Sequence, residues 1–177
     1  MAVSRKKLIE YAKSFACAFI VFAILYIFLW PVRIIGVSME PALNHNDRVF
    51  VSRALGFIGA YGRGDMVMVK VNYSSYRDRR YIIKRIIAEP GDKLLIENGR
   101  VYVNDLVINY FGDAYIRPDL SVTLADGHYF IMGDNSAHSL DSRDFGAIER
   151  SRIVGTVLFR FFNRGIFNGI APVNLFD

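Results

Sequence analysis

From Ser14 to Val32 the chain carries no charge, reading SFACAFIVFAILYIFLWPV. About 19 residues make roughly 28 Å of helix, just enough for a hydrocarbon core of ~30 Å. Arg5, Lys6, Lys7 and Lys13 precede the run against a single Glu10, and Tyr26 and Trp30 lie towards its far end. The positive-inside rule then expects residues 1–13 in the cytoplasm and everything beyond Arg33 on the extracytoplasmic side. A cleavable signal peptide would have a shorter apolar core, of ~7–15 residues, followed by small residues. Here the run ends in Trp30-Pro31-Val32-Arg33. A buried helix of a soluble domain would show a polar face, and this one has none. The expectation is an uncleaved anchor over residues 14–32, single-pass in the cytoplasmic membrane and in contact with its lipid. Cys17 falls inside it as a packing or lipid-facing residue.

The anchor also explains the charge. The chain of 177 residues has a net charge of +5, with 22 basic and 17 acidic side chains. Residues 1–33 hold five of the basic and one of the acidic residues, which leaves 17 against 16 for the rest. The excess belongs to the N-terminus, so no basic face for nucleic acid is indicated. A hydrophobic fraction of 53% excludes a disordered chain. One cysteine excludes an intrachain disulfide and any multi-cysteine zinc site.

Beyond Arg33 short β-branched and aromatic runs alternate with turn residues. Strands are expected at Arg48–Ser52, Met66–Val71, Tyr81–Ala88, Lys93–Glu97, Arg100–Asn104, Ser121–Leu124, Tyr129–Met132 and Ile153–Phe161. Asn98-Gly99 between two apolar runs is a type I′ hairpin signal, and Glu89-Pro90-Gly91-Asp92 is a turn. Short helical turns fit Arg53–Ile58 and Ile148–Arg152. The stretch from Gly99 to Val122 is the least patterned and reads as a small insertion, either a β-subdomain or a flap. The fold class expected is mostly β, a catalytic-sized domain over residues 33–177 tethered by one N-terminal helix.

Three segments carry candidate chemistry. The first is Gly36-Val37-Ser38-Met39-Glu40-Pro41-Ala42-Leu43. The second is Tyr81-Ile82-Ile83-Lys84-Arg85-Ile86-Ile87-Ala88-Glu89-Pro90-Gly91-Asp92. The third is Met132-Gly133-Asp134-Asn135, followed by Ser139-Leu140-Asp141-Ser142-Arg143-Asp144-Phe145-Gly146. In a strand over Tyr81–Ala88, Ile82, Lys84 and Ile86 share a face. A lysine buried there loses hydration, which disfavours its ammonium form and suits a general base. The opposite face carries Arg85, so periodicity alone does not say which cation points inward. Ser38 is by itself a turn residue; as a nucleophile it needs an activating base. His45, His128 and His138 stand isolated in polar context, and a Ser-Lys pair is another solution. Asp134, Asp141 and Asp144 are too sparse for a hard-cation loop. They read instead as a charge-paired turn in which Arg143 bridges a carboxylate bidentately.

Together, in this order and behind an anchor, the three segments resemble bacterial type I signal peptidases (leader peptidases). The matched pattern is Ser-Met-x-Pro-x-Leu, then Lys-Arg before Pro-Gly-Asp, then Gly-Asp-Asn with Ser-x-Asp-Ser-Arg-x-Phe-Gly. It covers the chain from the anchor to about Phe161. The resemblance implies a membrane-anchored, mostly-β Ser/Lys endopeptidase that removes signal peptides from exported preproteins after small residues (Ala-x-Ala). It implies Ser38 as nucleophile and Lys84 as general base. Met39 would help line the pocket before the scissile bond. Ser139 would hydrogen-bond the lysine amine, with Asp141 and Arg143 bracing the site. Asp134 and Asn135 would belong to a structural turn. No metal or organic cofactor is implied; the partners implied are preprotein signal peptides, membrane lipid and the secretion machinery.

The chain departs from the pattern at Gly36, where many relatives have a serine that helps hold the oxyanion, at Ala42 in place of threonine, at Ala88-Glu89, and in its short second subdomain. At Gly36 a backbone group or water is expected to replace the missing donor. Three rivals share part of the pattern: a dedicated processing peptidase for a conjugation or pilus system, a relative of self-cleaving Ser/Lys repressors, and an anchored β-module that only binds secretory proteins.

Overall fold

The computed structural model describes residues 5–71, 81–111, 116–161, 167–169 and 174–176. The side chains of residues 6, 24, 25, 27 and 167–169 lie outside the description. So does the backbone at 112–115, within the expected insertion, and at 162–166.

Helix α1 runs Arg5–Phe28. The helix was expected to continue to Val32, but Leu29–Arg33 form strand β1, paired antiparallel with β2 (Arg48–Ser52). Trp30, Pro31 and Val32 stand opposite Val51, Phe50 and Val49. The ladder to β2 competes with the helix for the same backbone groups, and proline has no N–H to continue a helix. The uncharged helical part is thus Ser14–Phe28, about 22 Å at 1.5 Å per residue. Among the described residues no helix is long and apolar enough to cross a membrane.

After β2 follow helix α2 (Arg53–Ile58), β3 (Met66–Lys70) and β4 (Tyr81–Ala88). Next come β5 (Lys93–Glu97), β6 (Arg100–Val103), β7 (Leu106–Val107), β8 (Leu120–Thr123) and β9 (His128–Met132). Helix α3 (Ser142–Phe145), β10 (Ile148–Glu149), β11 (Ile153–Phe161) and β12 (Phe167–Gly169) complete the order. One sheet has the order β1-β2-β11-β3-β4-β9-β10, with β12 added on β11; a smaller sheet has the order β7-β6-β5-β8. Every pairing is antiparallel. The fold is mostly β, as expected from the sequence.

The larger sheet curls. Its register shifts at Ile86/Ala88, Ile153/Gly155 and Val157/Phe159, and each extra residue bends its strand and increases the local twist. Helix α2 lies close on β11 because Gly56 meets Gly155 there; a Cβ on Gly56 would come within 2.6 Å of the Gly155 backbone. Ser52 caps α2 by accepting the Leu55 N–H at 3.2 Å. The Asn98-Gly99 hairpin forms as its sequence directs, with φ of 51° and 76°.

The turn after β4 joins the two sheets. Asp92 is its hub: it accepts the Glu89 N–H (2.7 Å), the Asn104 amide (2.7 Å) and Arg63 (2.7 Å). Burial pushes the Asp92 carboxyl up, but these donors outweigh it and hold the group below the usual carboxylate range.

Candidate active site

Strand β4 lies between β3 and β9 and is buried on both faces. Lys84 is 3% exposed and Arg85 1%, so the choice left open by periodicity resolves to both cations inward. Arg85 is neutralised. Its Nε and NH2 donate to the two oxygens of Asp134 at 2.8 and 2.7 Å, and NH1 donates to the Gly64 carbonyl. Tyr110, from the end of the small sheet's chain, accepts from Arg85 at 2.9 Å and donates to Asp134 at 2.9 Å. Burial and the Asp134 carboxylate push the Tyr110 hydroxyl up to about 12, against an opposing effect from Arg85. Asp134 therefore anchors the turn after β9 to β4.

Lys84 stands opposite Val67 of β3. On its other side Arg85 pairs with Met132 and Ile86 with Ile131. Continued by one residue, that register sets Lys84 opposite Gly133. Residues opposite each other in an antiparallel pair share a face. A Cβ on Gly133 would collide with Ser139 Oγ and with the Ser38 carbonyl oxygen. The space that a side chain would fill is thus occupied by Ser139 and the Ser38 backbone, on the Lys84 face.

Ser38 reaches this position by two tethers to the turn after β9. Asn135 N–H donates to the Ser38 carbonyl at 3.1 Å, and the Asn135 side-chain amide donates to the Val37 carbonyl at 3.2 Å. After Ser38 a tight turn follows, with Glu40 N–H to Val37 O and Leu43 N–H to Met39 O. Met39 is 2% exposed and packs with Leu43, Met66 and Met68.

Ser139 donates its hydroxyl proton to Asp141 at 2.6 Å. Asp141 is fully buried; it also accepts the Gly133 N–H at 2.9 Å and a bidentate pair from Arg143 (2.8 Å at each oxygen). It caps α3, where Asp144 returns the favour by accepting the Asp141 N–H. Arg143 also donates to the Ser136 carbonyl at 2.8 Å. The acidic cluster is the charge-paired turn expected, with Asp134 drawn away to Arg85.

Four contributors are not singled out by sequence pattern alone. Arg85 was read only as a second cation on β4, and Gly133 only as a motif letter. Tyr110 lies in the unpatterned stretch. His45, set aside as isolated, accepts the Gly36 N–H on its Nδ1 at 3.0 Å. Gly36 itself has φ +111°.

Comparison with known proteins identifies the family. The family model for signal peptidase, peptidase S26, matches residues 8–162. Signal peptidase I S of Bacillus subtilis (strain 168) is 32% identical over 90% of this chain and 92% of its own length. Signal peptidase IB of Staphylococcus aureus (strain N315) is 34% identical over 89% and 91%. A crystal structure of a signal peptidase I from Enterococcus faecalis V583 is 23% identical, covers 54% of this chain and 95% of that chain, and superposes with a TM-score of 0.46. The chain belongs to the signal peptidase family, peptidase S26, and is a serine endopeptidase.

Proposed function

We propose that this chain cleaves signal peptides from exported preproteins after small residues, with Ser38 as nucleophile and Lys84 as general base. The observation that carries this reading is the meeting of three elements at Gly133. The β4–β9 register, continued one residue past the Arg85–Met132 pair, brings Lys84 opposite it, and its missing side chain leaves room for Ser139 and the Ser38 carbonyl.

In this mechanism the neutral Lys84 amine takes the Ser38 hydroxyl proton as Oγ attacks the scissile carbonyl. Burial at 3% exposure disfavours the ammonium form of an amine, which is the direction a base requires. Ser139 donates its one hydroxyl hydrogen bond to Asp141, so its oxygen serves as an acceptor towards the amine. It takes an N–H of the Lys84 amine and leaves the nitrogen lone pair for Ser38. The amine of the mature protein leaves with the proton from Lys84. The signal peptide stays esterified to Ser38 until Lys84 activates water. The Ser38 N–H donates to the developing oxyanion. The preprotein binds extended beside the site, with Ala-x-Ala before the cut.

The apolar part of α1 holds the chain at the cytoplasmic membrane, with residues 1–13 inside and the β-domain outside. The uncharged run and the cations ahead of it support this orientation. The uncharged part of α1, about 22 Å, falls short of a ~30 Å hydrocarbon core, so this reading requires the bilayer to thin locally and flanking side chains to snorkel. Preproteins would be delivered there by the secretion machinery.

The test is cleavage of a preprotein with an Ala-x-Ala site by detergent-solubilised full-length chain, with the product N-terminus sequenced. A cut after the small residue that Ser38→Ala and Lys84→Ala each abolish supports the reading. A cut that survives Ser38→Ala overturns the nucleophile, and no cut by folded wild type overturns the substrate.

A further inference from the structure

We propose that His45 is a positioning residue for Ser38, acting through the backbone of Gly36. The inference rests on Ser38 being the nucleophile.

A backbone N–H can donate only to an unprotonated ring nitrogen, so the Gly36 contact uses neutral His45 with its proton on Nε2. The turn that carries His45 is well rooted. Asn44 N–H donates to Asp47 Oδ2 at 2.8 Å, and Asp47 N–H to the Asn44 carbonyl at 3.1 Å. Ile34 N–H donates to the Asp47 carbonyl at 2.8 Å, and Asn46 N–H to the Ile34 carbonyl at 2.9 Å. Arg160 donates to the Ala42 carbonyl at 2.9 Å and lies 3.6 Å from Asp47. The imidazole is therefore presented from a fixed base.

The recipient is the opposite. Glycine at φ +111° has no side chain to restrict rotation of its peptide groups. Asn135 fixes the segment from the far side, at the Val37 and Ser38 carbonyls. His45 fixes it two residues ahead of Ser38. With both ends held, the Ser38 Oγ and N–H keep one direction. The contact also occupies the Gly36 N–H, so that group is not a second donor to the oxyanion.

The discriminating variants are His45→Asn and His45→Gln. The Asn Oδ1 occupies the place of Nδ1 and can accept the Gly36 N–H; the Gln amide is one bond too long. His45 is exposed, so both variants should stay folded, with a thermal unfolding midpoint within about 4 °C of wild type. Two readouts are made on the full-length chain in detergent: kcat and KM for the Ala-x-Ala preprotein, and hydrogen exchange at the Gly36 amide by NMR. The expected result is a kcat about fivefold lower in His45→Gln with KM within about twofold, the equivalent of one lost hydrogen bond. His45→Asn should restore kcat, and the Gly36 amide should be protected in wild type and His45→Asn but not in His45→Gln. Equal kcat in wild type and His45→Gln, with Ser38→Ala inactive, overturns the positioning role alone. An unprotected Gly36 amide in wild type overturns the contact itself. Activity in Ser38→Ala instead removes the reading beneath it.

Discussion

Asp141 accepts the hydroxyl proton of Ser139 at 2.6 Å, and this single contact decides what Ser139 can offer. A hydroxyl has one proton. Once that proton points at a buried carboxylate, the oxygen is left as an acceptor towards the Lys84 face. Arg143 and the Gly133 N–H hold the Asp141 carboxylate in place. In the proposed mechanism the chain Arg143–Asp141–Ser139 thereby sets the polarity of the site.

Removing the serine tests that polarity. Ser139→Ala loses one hydrogen bond and should cost about 1 kcal/mol of stability, with a much larger loss in kcat. Urea unfolding beside steady-state kinetics separates the two. A kcat unchanged within about twofold would rule out the orienting role.

Asp141→Asn should be far more damaging to the fold. It leaves the Arg143 guanidinium, 7% exposed, without its carboxylate. Breaking a buried pair by removing one partner costs about 3–5 kcal/mol. The urea midpoint should fall accordingly, and a fall under about 1 kcal/mol would mean that Arg143 finds water instead.

Gly133→Ala places a methyl group against Ser139 Oγ and the Ser38 carbonyl. Overpacking of this kind costs about 1–3 kcal/mol. Since both displaced groups belong to the site, activity should drop more than tenfold in protein that remains folded. Circular dichroism and a turnover assay on the same sample check this.

Two pH limits follow from the braces. Asp92 titrates below the usual range, so its contribution to stability is present above about pH 4 and is lost as pH falls through its lower folded value. Asp92→Asn should be less stable at neutral pH and show a flatter acid limb. Tyr110 is shifted the other way, to about 12. Its contribution is complete below about pH 10 and disappears as pH rises towards 12, because the folded state then holds the proton that the unfolded state has lost. Tyr110→Phe should remove that alkaline slope. Chemical denaturation at stepped pH reads both.

Much of the fold was legible because its signals are local. The Asn-Gly hairpin, the Pro-Gly-Asp turn and the eight expected strands rest on turn chemistry and on the residues inside each segment. The edge strand Leu29–Arg33 was not legible, because nothing in an apolar run says where helix gives way to ladder; a partner strand decides it. The short α3 had a readable cap in Asp141 and Asp144 three residues on, but its four residues leave no periodicity to detect.

Residue types and their order determined the candidate chemistry: a serine beside methionine, a lysine in an isoleucine strand, and an acidic turn with an arginine. These are properties of composition along the chain, where a hydroxyl, an amine and a carboxylate announce what they can do. Tertiary structure alone decided who meets whom. It buried both Lys84 and Arg85, since β4 is covered on both faces. It paired Arg85 with Asp134 and Tyr110 from distant segments. It made the missing side chain of Gly133 the space for Ser139 and Ser38. Burial and register belong to the assembled sheet, so no single segment carries them.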